Sequence, residues 1–224
     1  PYAPRSEANL QPFENAVQAG RTYLIYGDDY RTEIDLRGGE VDDILVGSSA
    51  NNIIVGAQGD DQLIGNGGLD ALAGGAGNDL LSVSDSGFLR VDGGGGTDTL
   101  MVDGFDLDLT NLQNEKIRSI EKIDLTDGSQ NSLKLTANDL FQISDDAAEF
   151  NGVSSVNFLI VNGDSGDTVQ LAALDIGHPL SDADWAFTAT QTELGVDYDL
   201  YDLSSDLVTY AQIAVQSDLD VVIS

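Results

Sequence analysis

The sequence predicts an all-β fold, built from a regular array of short strands and closed by a β-rich C-terminal cap with at most one or two short helices. A nine-residue pattern of glycine, aspartate and aliphatic residues repeats between 38 and 101. Internal repetition of this kind is typical of solenoids, in which each repeat buries its apolar face against its neighbours. From 102 onward glycine thins out, and apolar and polar residues alternate as they do in half-buried strands.

The charge of the chain narrows its possible partners. The 224 residues include 39 acidic and 9 basic side chains, for a formal net charge of −30, and Lys134 is the last base. Such a chain repels nucleic acid and anionic membranes, so cations are the expected partners and nucleic acid is not. No cysteine is present to form a disulfide, and no run of 18 apolar residues predicts membrane insertion.

The N-terminal residues 1–37 precede the repeats, and we expect them to serve as a linker and capping segment. The chain starts at Pro1 without methionine and without a signal peptide, so we expect a piece of a longer protein.

Five consecutive nonapeptides occupy 38–82, and after a ten-residue spacer, VSDSGFLRVD, a sixth copy occupies 93–101. Three positions hardly vary. Position one is glycine, position six is Asp or Asn, and position eight is Leu or Ile: Gly38, Gly47, Gly56, Gly65, Gly74 and Gly93; Asp43, Asn52, Asp61, Asp70, Asp79 and Asp98; Leu45, Ile54, Leu63, Leu72, Leu81 and Leu100. A flexible linker has no reason to keep an aliphatic residue at every ninth position.

The chemistry of the repeat favours calcium. Six residues rich in glycine make a turn, because glycine reaches positive φ without strain, and the last three residues make a short strand with one inward aliphatic side chain. Calcium takes six to eight oxygen ligands from carboxylates and backbone carbonyls. A glycine turn exposes its carbonyls, and the aspartate adds charge.

This pattern resembles the calcium-binding nonapeptide of the RTX family, over roughly 38–101. The resemblance implies a right-handed parallel β-roll (an RTX β-solenoid) in which each nonapeptide is half a coil, so that copies n and n+2 stack on one side. The copies at 74 and 93 fit the family pattern fully, whereas Asn52 replaces the carboxylate and weakens its site.

Stacking sorts the acidic residues into two columns. If the spacer counts as a half-coil, the odd column contains Asp43, Asp61, Asp79 and Asp98, and we expect three calcium sites between its turns. The even column contains Asn52 and Asp70, followed by Phe88 where an acid should be, so one or two weak sites are expected there. Several ions, three or more, are therefore predicted. The expected ligands are Gly38, Glu40, Asp43, Gly56, Gln58, Gly59, Asp61, Gly74, Ala76, Gly77, Asp79, Gly94, Gly96 and Asp98 on the odd side, and Asn52, Gly65, Gly67 and Asp70 on the even side.

The residues that flank position eight should form an apolar outer face. They are Ile44, Val46, Ile53, Val55 and Ile64. Such a face is seldom left bare, so we expect the segment TYLIYG at 22–27, or part of the C-terminal half, to cover it.

The region 102–224 is predicted to be the β-rich cap. Thr136 and Asp139 resemble a capping box, so a short helix through about Ile143 is expected. NFLIV and TVQLA flank the polar NGDSGD and predict a β-hairpin, with further strands in WAFTATQ, DYDLYDL, LVTYAQIAV and LDVVIS. Trp185 is expected to be in the core or half-buried.

The same region looks like the C-terminal part of large bacterial RTX adhesins. The residues that carry this likeness are IEKIDLTDGSQNSLKLTANDL, LIVNGDSGDTVQL, Trp185 and the tail from Tyr198 to Ser224. The likeness implies an uncleaved type I secretion signal within roughly the last 60 residues, if Ser224 is the native end. It implies the type I secretion machinery as a partner, and an extracellular or cell-surface location on a Gram-negative bacterium. We expect a monomer.

Catalysis is not expected. GDSGD around Ser165 is similar to the motif of a trypsin-like nucleophile, but His178 is the single histidine and follows the serine, which is the wrong order for that triad. One histidine without cysteine also leaves no zinc set. We therefore expect a non-catalytic calcium-binding RTX module of a secreted or surface adhesin. The alternatives are the non-catalytic RTX tail of a secreted enzyme (protease, lipase or alginate epimerase) and a calcium-dependent glycan-binding module.

Overall fold

The computed structural model describes residues 22–24, 34–113, 116–144, 149–150, 153–154, 157–172, 184–205 and 208–224. Strands dominate these residues, and their only helices are α1 at Ala137–Ile143 and a 3-10 turn at Leu109–Asn111. The predicted all-β fold with at most one or two short helices is thereby confirmed.

The strands in chain order are β1 Thr22–Leu24, β2 Leu36–Arg37, β3 Ile44–Val46, β4 Ile53–Gln58, β5 Gln62–Ile64, β6 Ala71–Ala76, β7 Leu80–Val83, β8 Arg90–Gly95, β9 Thr99–Val102, β10 Leu107–Asp108, β11 Ile117–Arg118, β12 Lys122–Asp124, β13 Ser132–Thr136, β14 Glu149–Phe150, β15 Val153–Ser154, β16 Phe158–Asn162, β17 Thr168–Ala172, β18 Asp184–Glu193, β19 Val196–Ser205, β20 Val208–Gln216 and β21 Asp220–Ile223.

The repeat region is a parallel β-roll, as predicted. Its strands alternate between two sheets. Sheet A has the order β1-β3-β5-β7-β9-β12-β16-β20-β19-β18, and sheet B has the order β2-β4-β6-β8-β11. Ile44 pairs in parallel with Gln62, 62 − 44 = 18 residues on, so one full coil is two nonapeptides. The ten-residue spacer also behaves as a half-coil, because β8 pairs in parallel with β6.

The core consists of aliphatic residues stacked in register between the sheets. In sheet A this stack is fully buried and contains Leu45, Leu63, Leu81, Leu100, Ile123, Val161 and Val215. In sheet B it contains Leu36, Ile54, Leu72, Val91 and Ile117. Each stacked residue removes most of its side chain from water, and this is worth about 1.5–3 kcal/mol. Position eight of the nonapeptide therefore supplies the core of the roll.

Parallel stacking continues beyond residue 101. Strands β12, β16 and β20 extend sheet A, while β10, β13, β17 and β21 form a third sheet, sheet C, in that order. Leu133 pairs with Leu107 and Val169, so sheet C carries its own aliphatic stack. Antiparallel pairing joins β14 to β15 in a separate two-stranded sheet, and at the end of the chain β19 and β18 add to β20 in antiparallel fashion. Trp185 on β18 is 5% exposed and donates its indole N–H to the Ala172 carbonyl, as a core residue would.

The predicted hairpin between 157 and 172 is wrong. β16 belongs to sheet A and β17 to sheet C, so the two strands do not pair with each other. The polar segment between them turns the chain from one face of the solenoid to the next. Both strands are apolar at their inward positions and find parallel partners one coil away, which an isolated hairpin could not offer.

The predicted helix is confirmed at Ala137–Ile143. Thr136 and Asp139 form the expected capping box, with the Thr136 hydroxyl accepting the Asp139 N–H and the Asp139 carboxylate accepting the Thr136 N–H. Leu140 and Ile143 on the helix are buried against the solenoid.

The expected cover of the outer face is not found in 22–24. These residues pair in parallel with β3 and extend the edge of sheet A, so their backbone lies beside the first coil rather than over it. Ile44 on the outer face remains 40% exposed. The remaining residues of that segment, 25–27, lie outside the described residues.

Candidate calcium centre

The odd turns join sheet B to sheet A and depend on glycine at position four. Gly59, Gly77 and Gly96 occupy this position with φ of 108°, 130° and 139°. A side chain there would be strained, and at Gly77 and Gly96 a Cβ would also overlap the carbonyl oxygen of the equivalent glycine one coil earlier. These carbonyls, of Gly59 and Gly77, therefore face along the column toward the next odd turn.

The odd column is connected by hydrogen bonds from one coil to the next. The Asp43 N–H donates to Asp61 Oδ1 at 2.8 Å, the Asp61 N–H to Asp79 Oδ1 at 2.8 Å, and the Asp79 N–H to Asp98 Oδ1 at 2.7 Å. All four aspartates are at most 3% exposed. The structure thus brings the four together in the predicted order, across the spacer.

The second oxygen of three of these carboxylates has no partner. Oδ2 of Asp61, Asp79 and Asp98 is buried and accepts no hydrogen bond. An unpaired buried polar atom is costly, and a native structure that contains one invites a ligand as the explanation. Calcium would satisfy such an oxygen, and the donor types around it are those that calcium prefers.

Glycine at position one makes room for this oxygen. A Cβ on Gly56 would overlap both Asp61 Oδ2 and the Gly74 carbonyl oxygen, and a Cβ on Gly74 would overlap both Asp79 Oδ2 and the Gly93 carbonyl oxygen. Each first glycine therefore forms a cradle, the space where a carboxylate oxygen of its own turn meets a carbonyl oxygen of the next odd turn. This packing explains why position one is invariant among the six copies.

Burial raises the pKa of the column carboxyls. The pKa of Asp61 is raised to about 6, chiefly by burial and further by the charges of Asp79, Asp43 and Asp42. The pKa of Asp98 is also raised to about 6, again by burial first, and that of Asp79 is raised for the same reason. In the absence of a cation, the column therefore holds its negative charge at a cost.

Side chains alone do not form a metal site in the odd turns, so backbone carbonyls are expected to contribute ligands. The described part of the chain contains no group of three or more His, Cys, Asp or Glu side chains that could hold a metal by themselves. Position three was also expected to contribute. At this position the Ala76 carbonyl accepts the Gly59 N–H at 2.9 Å. The residues Glu40 and Gln58 are exposed, so they lie on the solvent side of their turns.

The first turn differs from the later ones. Asp43 Oδ2 accepts the Gly39 N–H at 2.8 Å. In the later odd turns position two has positive φ, with Ala57 at 93°, Gly75 at 123° and Gly94 at 109°. The backbone at position two is therefore rotated relative to Gly39, and its N–H no longer reaches the carboxylate. The first turn therefore supplies an N–H donor to Asp43 Oδ2, the oxygen that stays unpaired in the later odd turns.

The even column is shorter, as expected. The Asn52 N–H donates to Asp70 Oδ1 at 2.8 Å, and Asn52 Oδ1 accepts the Ser48 N–H at 2.7 Å. The pKa of Asp70 is raised to about 7, mainly by burial and also by the charge of Asp85. Gly65 forms a cradle for Asp70 Oδ2. Phe88, which lies where an acid was missing, is buried in the core.

Two acidic residues of the columns were missed in the sequence. Asp85 of the spacer lies opposite Gly67, beside the even column. Glu121, which is 2% exposed, accepts the Asp98 N–H at 2.8 Å and so extends the odd column by one coil. A signal for Glu121 was present, because it precedes the buried Ile123 by two positions, as Asp98 precedes Leu100.

The corner at 163–167 uses a related arrangement without an unpaired oxygen. Asp167 is fully buried, and its two oxygens accept the N–H groups of Asn131 at 2.8 Å and Asp164 at 2.6 Å. Ser165 belongs to this corner, which indicates a structural role for the GDSGD segment. His178 lies outside the described residues.

The repeat pattern of this site matches a known family over part of the chain. The family model of the RTX calcium-binding nonapeptide repeat matches residues 37–72 and 46–81. Among solved structures, the solution structure of the AlgE6R3 subunit from the Azotobacter vinelandii mannuronan C5-epimerase matches with 20% identity, covering 88% of this chain and 86% of that chain, at a TM-score of 0.28. The comparison with curated proteins found no match.

The chain therefore contains an RTX repeat region that binds several calcium ions. RTX repeats are in general a non-catalytic module, and they are typical of secreted proteins of Gram-negative bacteria. In the described part of the chain, no helix has the length and apolar character needed to cross a bilayer.

Proposed function

We propose that this chain is a non-catalytic, calcium-triggered folding module of a secreted or surface adhesin. In this proposal residues 1–37 are a linker and capping segment, 38–101 are the calcium-binding roll, and 102–224 are a cap that includes a type I secretion signal. The observation that carries the proposal is the set of three buried aspartate oxygens without partners, all inside the RTX column.

The ligands that we propose lie in two groups. The odd turns contribute Gly38, Glu40, Asp43, Gly56, Gln58, Gly59, Asp61, Gly74, Ala76, Gly77, Asp79, Gly94, Gly96 and Asp98. The even turns contribute Asn52, Gly65, Gly67 and Asp70. Calcium supplies the positive charge and the coordination that these oxygens lack. Without it, stacked carboxylates repel one another and buried oxygens stay unpaired, so the coils are expected to open.

The free energy available is large enough to act as a switch. Extracellular calcium modules have dissociation constants of roughly 0.1–1 mM. At ten times the dissociation constant each site contributes about 1.4 kcal/mol, so three or four sites contribute roughly 4–6 kcal/mol. This is comparable to the whole stability of a domain, about 5–15 kcal/mol. At the far lower calcium concentration inside a cell, the chain would remain open and suited to export.

The C-terminal half supports an export role through its composition. No base follows Lys134, so the final 90 residues are neutral or acidic, as the likeness to RTX adhesins implies for a secretion signal. In the folded state β20 and β21 are integrated into sheets A and C. The segment would therefore be exported unfolded, by the type I machinery, and would fold only outside the cell as a monomer.

Circular dichroism of the chain during calcium titration and chelation tests the switch. We expect the strand signal to rise with calcium and to fall on chelation, and a chain that is fully folded in EDTA would end the proposal. Export is tested separately, by attaching residues 165–224 to a passenger in a strain with type I secretion. The adhesin role predicts weaker surface attachment by cells that lack this chain.

A further inference from the structure

Asp98 belongs to the last nonapeptide, and yet it resembles the aspartates in the middle of the column. It is fully buried, its Oδ2 accepts no hydrogen bond, and this oxygen lies at the cradle of Gly93. If calcium were held only between nonapeptide turns, this oxygen would be the end of the column, with no turn above it to complete a site.

The coil above Asp98 is not a nonapeptide, but it repeats the geometry of one. β11 pairs with β8 so that Arg118 aligns with Asp92, and the next residue, Ser119, aligns with Gly93. A Cβ on Gly93 would overlap the Ser119 carbonyl oxygen, just as one on Gly74 would overlap the Gly93 carbonyl oxygen. Ser119 adopts φ of 48°, the left-handed conformation that favours glycine.

Glu121 completes this shortened turn. It lies 121 − 119 = 2 residues after Ser119, whereas Asp98 lies 98 − 93 = 5 residues after Gly93, so the turn is three residues shorter. Glu121 Oε2 accepts the Asp98 N–H at 2.8 Å, as Asp98 Oδ1 accepts the Asp79 N–H at 2.7 Å. The glutamate side chain is one methylene longer than aspartate, and it reaches the same place from a shorter turn.

The opposite end of the column lacks these features. Asp43 Oδ2 already accepts the Gly39 N–H, so its cradle contains no unpaired oxygen. The three unpaired oxygens therefore belong to Asp61, Asp79 and Asp98. If the sites began at Asp43, the three oxygens would instead belong to Asp43, Asp61 and Asp79, one coil earlier.

We propose that the odd column binds a calcium ion between the 93–98 turn and the shortened 119–121 turn, with ligands from Asp98, the Ser119 carbonyl and Glu121. At this site Glu121 supplies the negative charge from the following turn. At the earlier sites of the odd column, the aspartate of the following turn supplies it. This site rests on the proposed calcium function. It would join the last nonapeptide to the C-terminal half, because β11 before the turn and β12 after it both lie beyond residue 101.

The number of bound ions in the full chain tests this assignment. Equilibrium dialysis with radioactive calcium at about 1 mM, the upper end for extracellular modules, counts ions in the wild type and in variants. Glu121→Gln should bind one ion fewer than the wild type, and Asp98→Asn should bind at least one fewer, because Asp98 also borders the site below it. Asp167→Asn should bind the wild-type number, and it is a matched control because that buried carboxylate has both oxygens satisfied.

The outcomes separate this inference from the proposed function. A wild type that binds no calcium overturns both, whereas a Glu121→Gln variant with the wild-type number overturns this site alone. A calcium-bound crystal structure of the wild type decides the question even if the variants misfold. The proposal predicts an anomalous peak about 2.3–2.6 Å from Asp98 Oδ2 and the Ser119 carbonyl oxygen. Peaks at the Gly56 and Gly74 cradles without one at Gly93 would overturn it.

Discussion

Replacing Gly74 by alanine should damage the roll far more than the loss of a hydrogen atom suggests. The new methyl group would overlap Asp79 Oδ2 and the Gly93 carbonyl oxygen, and the second of these is backbone that cannot turn away. Overpacking of this kind costs about 1–3 kcal/mol. The methyl would also fill the cradle and exclude one calcium ion, worth about 1.4 kcal/mol at ten times the dissociation constant.

Together these effects predict that Gly74→Ala lowers the free energy of unfolding in calcium by about 2.5–4.5 kcal/mol. For a chain of this size the melting temperature would fall by roughly 10 °C. Gly95→Ala is the matched control, because a Cβ at Gly95 meets nothing within 4 Å and Gly95 does not have positive φ. That variant should be unchanged or more stable, by at most about 1 kcal/mol.

Urea unfolding followed by circular dichroism, in buffer with calcium, measures both variants against the wild type. The cradle interpretation is refuted if Gly74→Ala and Gly95→Ala have the same free energy of unfolding, or if Gly74→Ala binds as many calcium ions as the wild type.

Three further predictions concern pH, the C-terminal corner and the strained turn. In EDTA the chain should be less stable at about pH 7.5 than at about pH 5. The pKa of Asp61 and Asp98 is about 6 in the folded chain against 3.8 ordinarily, so their protonation stabilises the fold at low pH and this stability is lost as the pH rises through about 6. Urea unfolding that shows the opposite trend contradicts this prediction. Asp167→Asn should cost about 1–3 kcal/mol of stability, because asparagine keeps one oxygen and leaves one of the two N–H donors facing an amide NH2, while calorimetry finds calcium binding unaltered. Ala57→Gly should raise the melting temperature, because Ala57 has φ of 93°, a conformation about 1–2 kcal/mol less favourable for alanine; a lower melting temperature would count against strain at this turn.

The roll could be predicted from the sequence because its rules are local and repeated. Glycine at position one, aspartate at position six and an aliphatic residue at position eight specify the turn, the column and the core in each copy. The capping box at Thr136 was equally local, and the helix begins where it indicates. In each case the residues that decide the structure are close together in the sequence.

The misjudged features depend on contacts between distant residues. NFLIV and TVQLA have the pattern of a hairpin, and only the presence of parallel partners one coil away sends β16 and β17 to different sheets. Glu121 was missed because its turn has lost three residues, so no nine-residue spacing connects it to Asp98. Asp43, whose Oδ2 accepts the Gly39 N–H, could not be distinguished from Asp61 either, because the difference lies in the backbone conformation of position two.

The free energy of unfolding of the full chain, measured with saturating calcium and again with EDTA, tests most directly whether calcium satisfies the buried column oxygens. Three sites, one for each unpaired oxygen, predict a difference of at least about 4 kcal/mol when calcium is ten times the dissociation constant. Equal free energies of unfolding in the two conditions would show that Asp61, Asp79 and Asp98 need no cation, and would contradict the account at its centre.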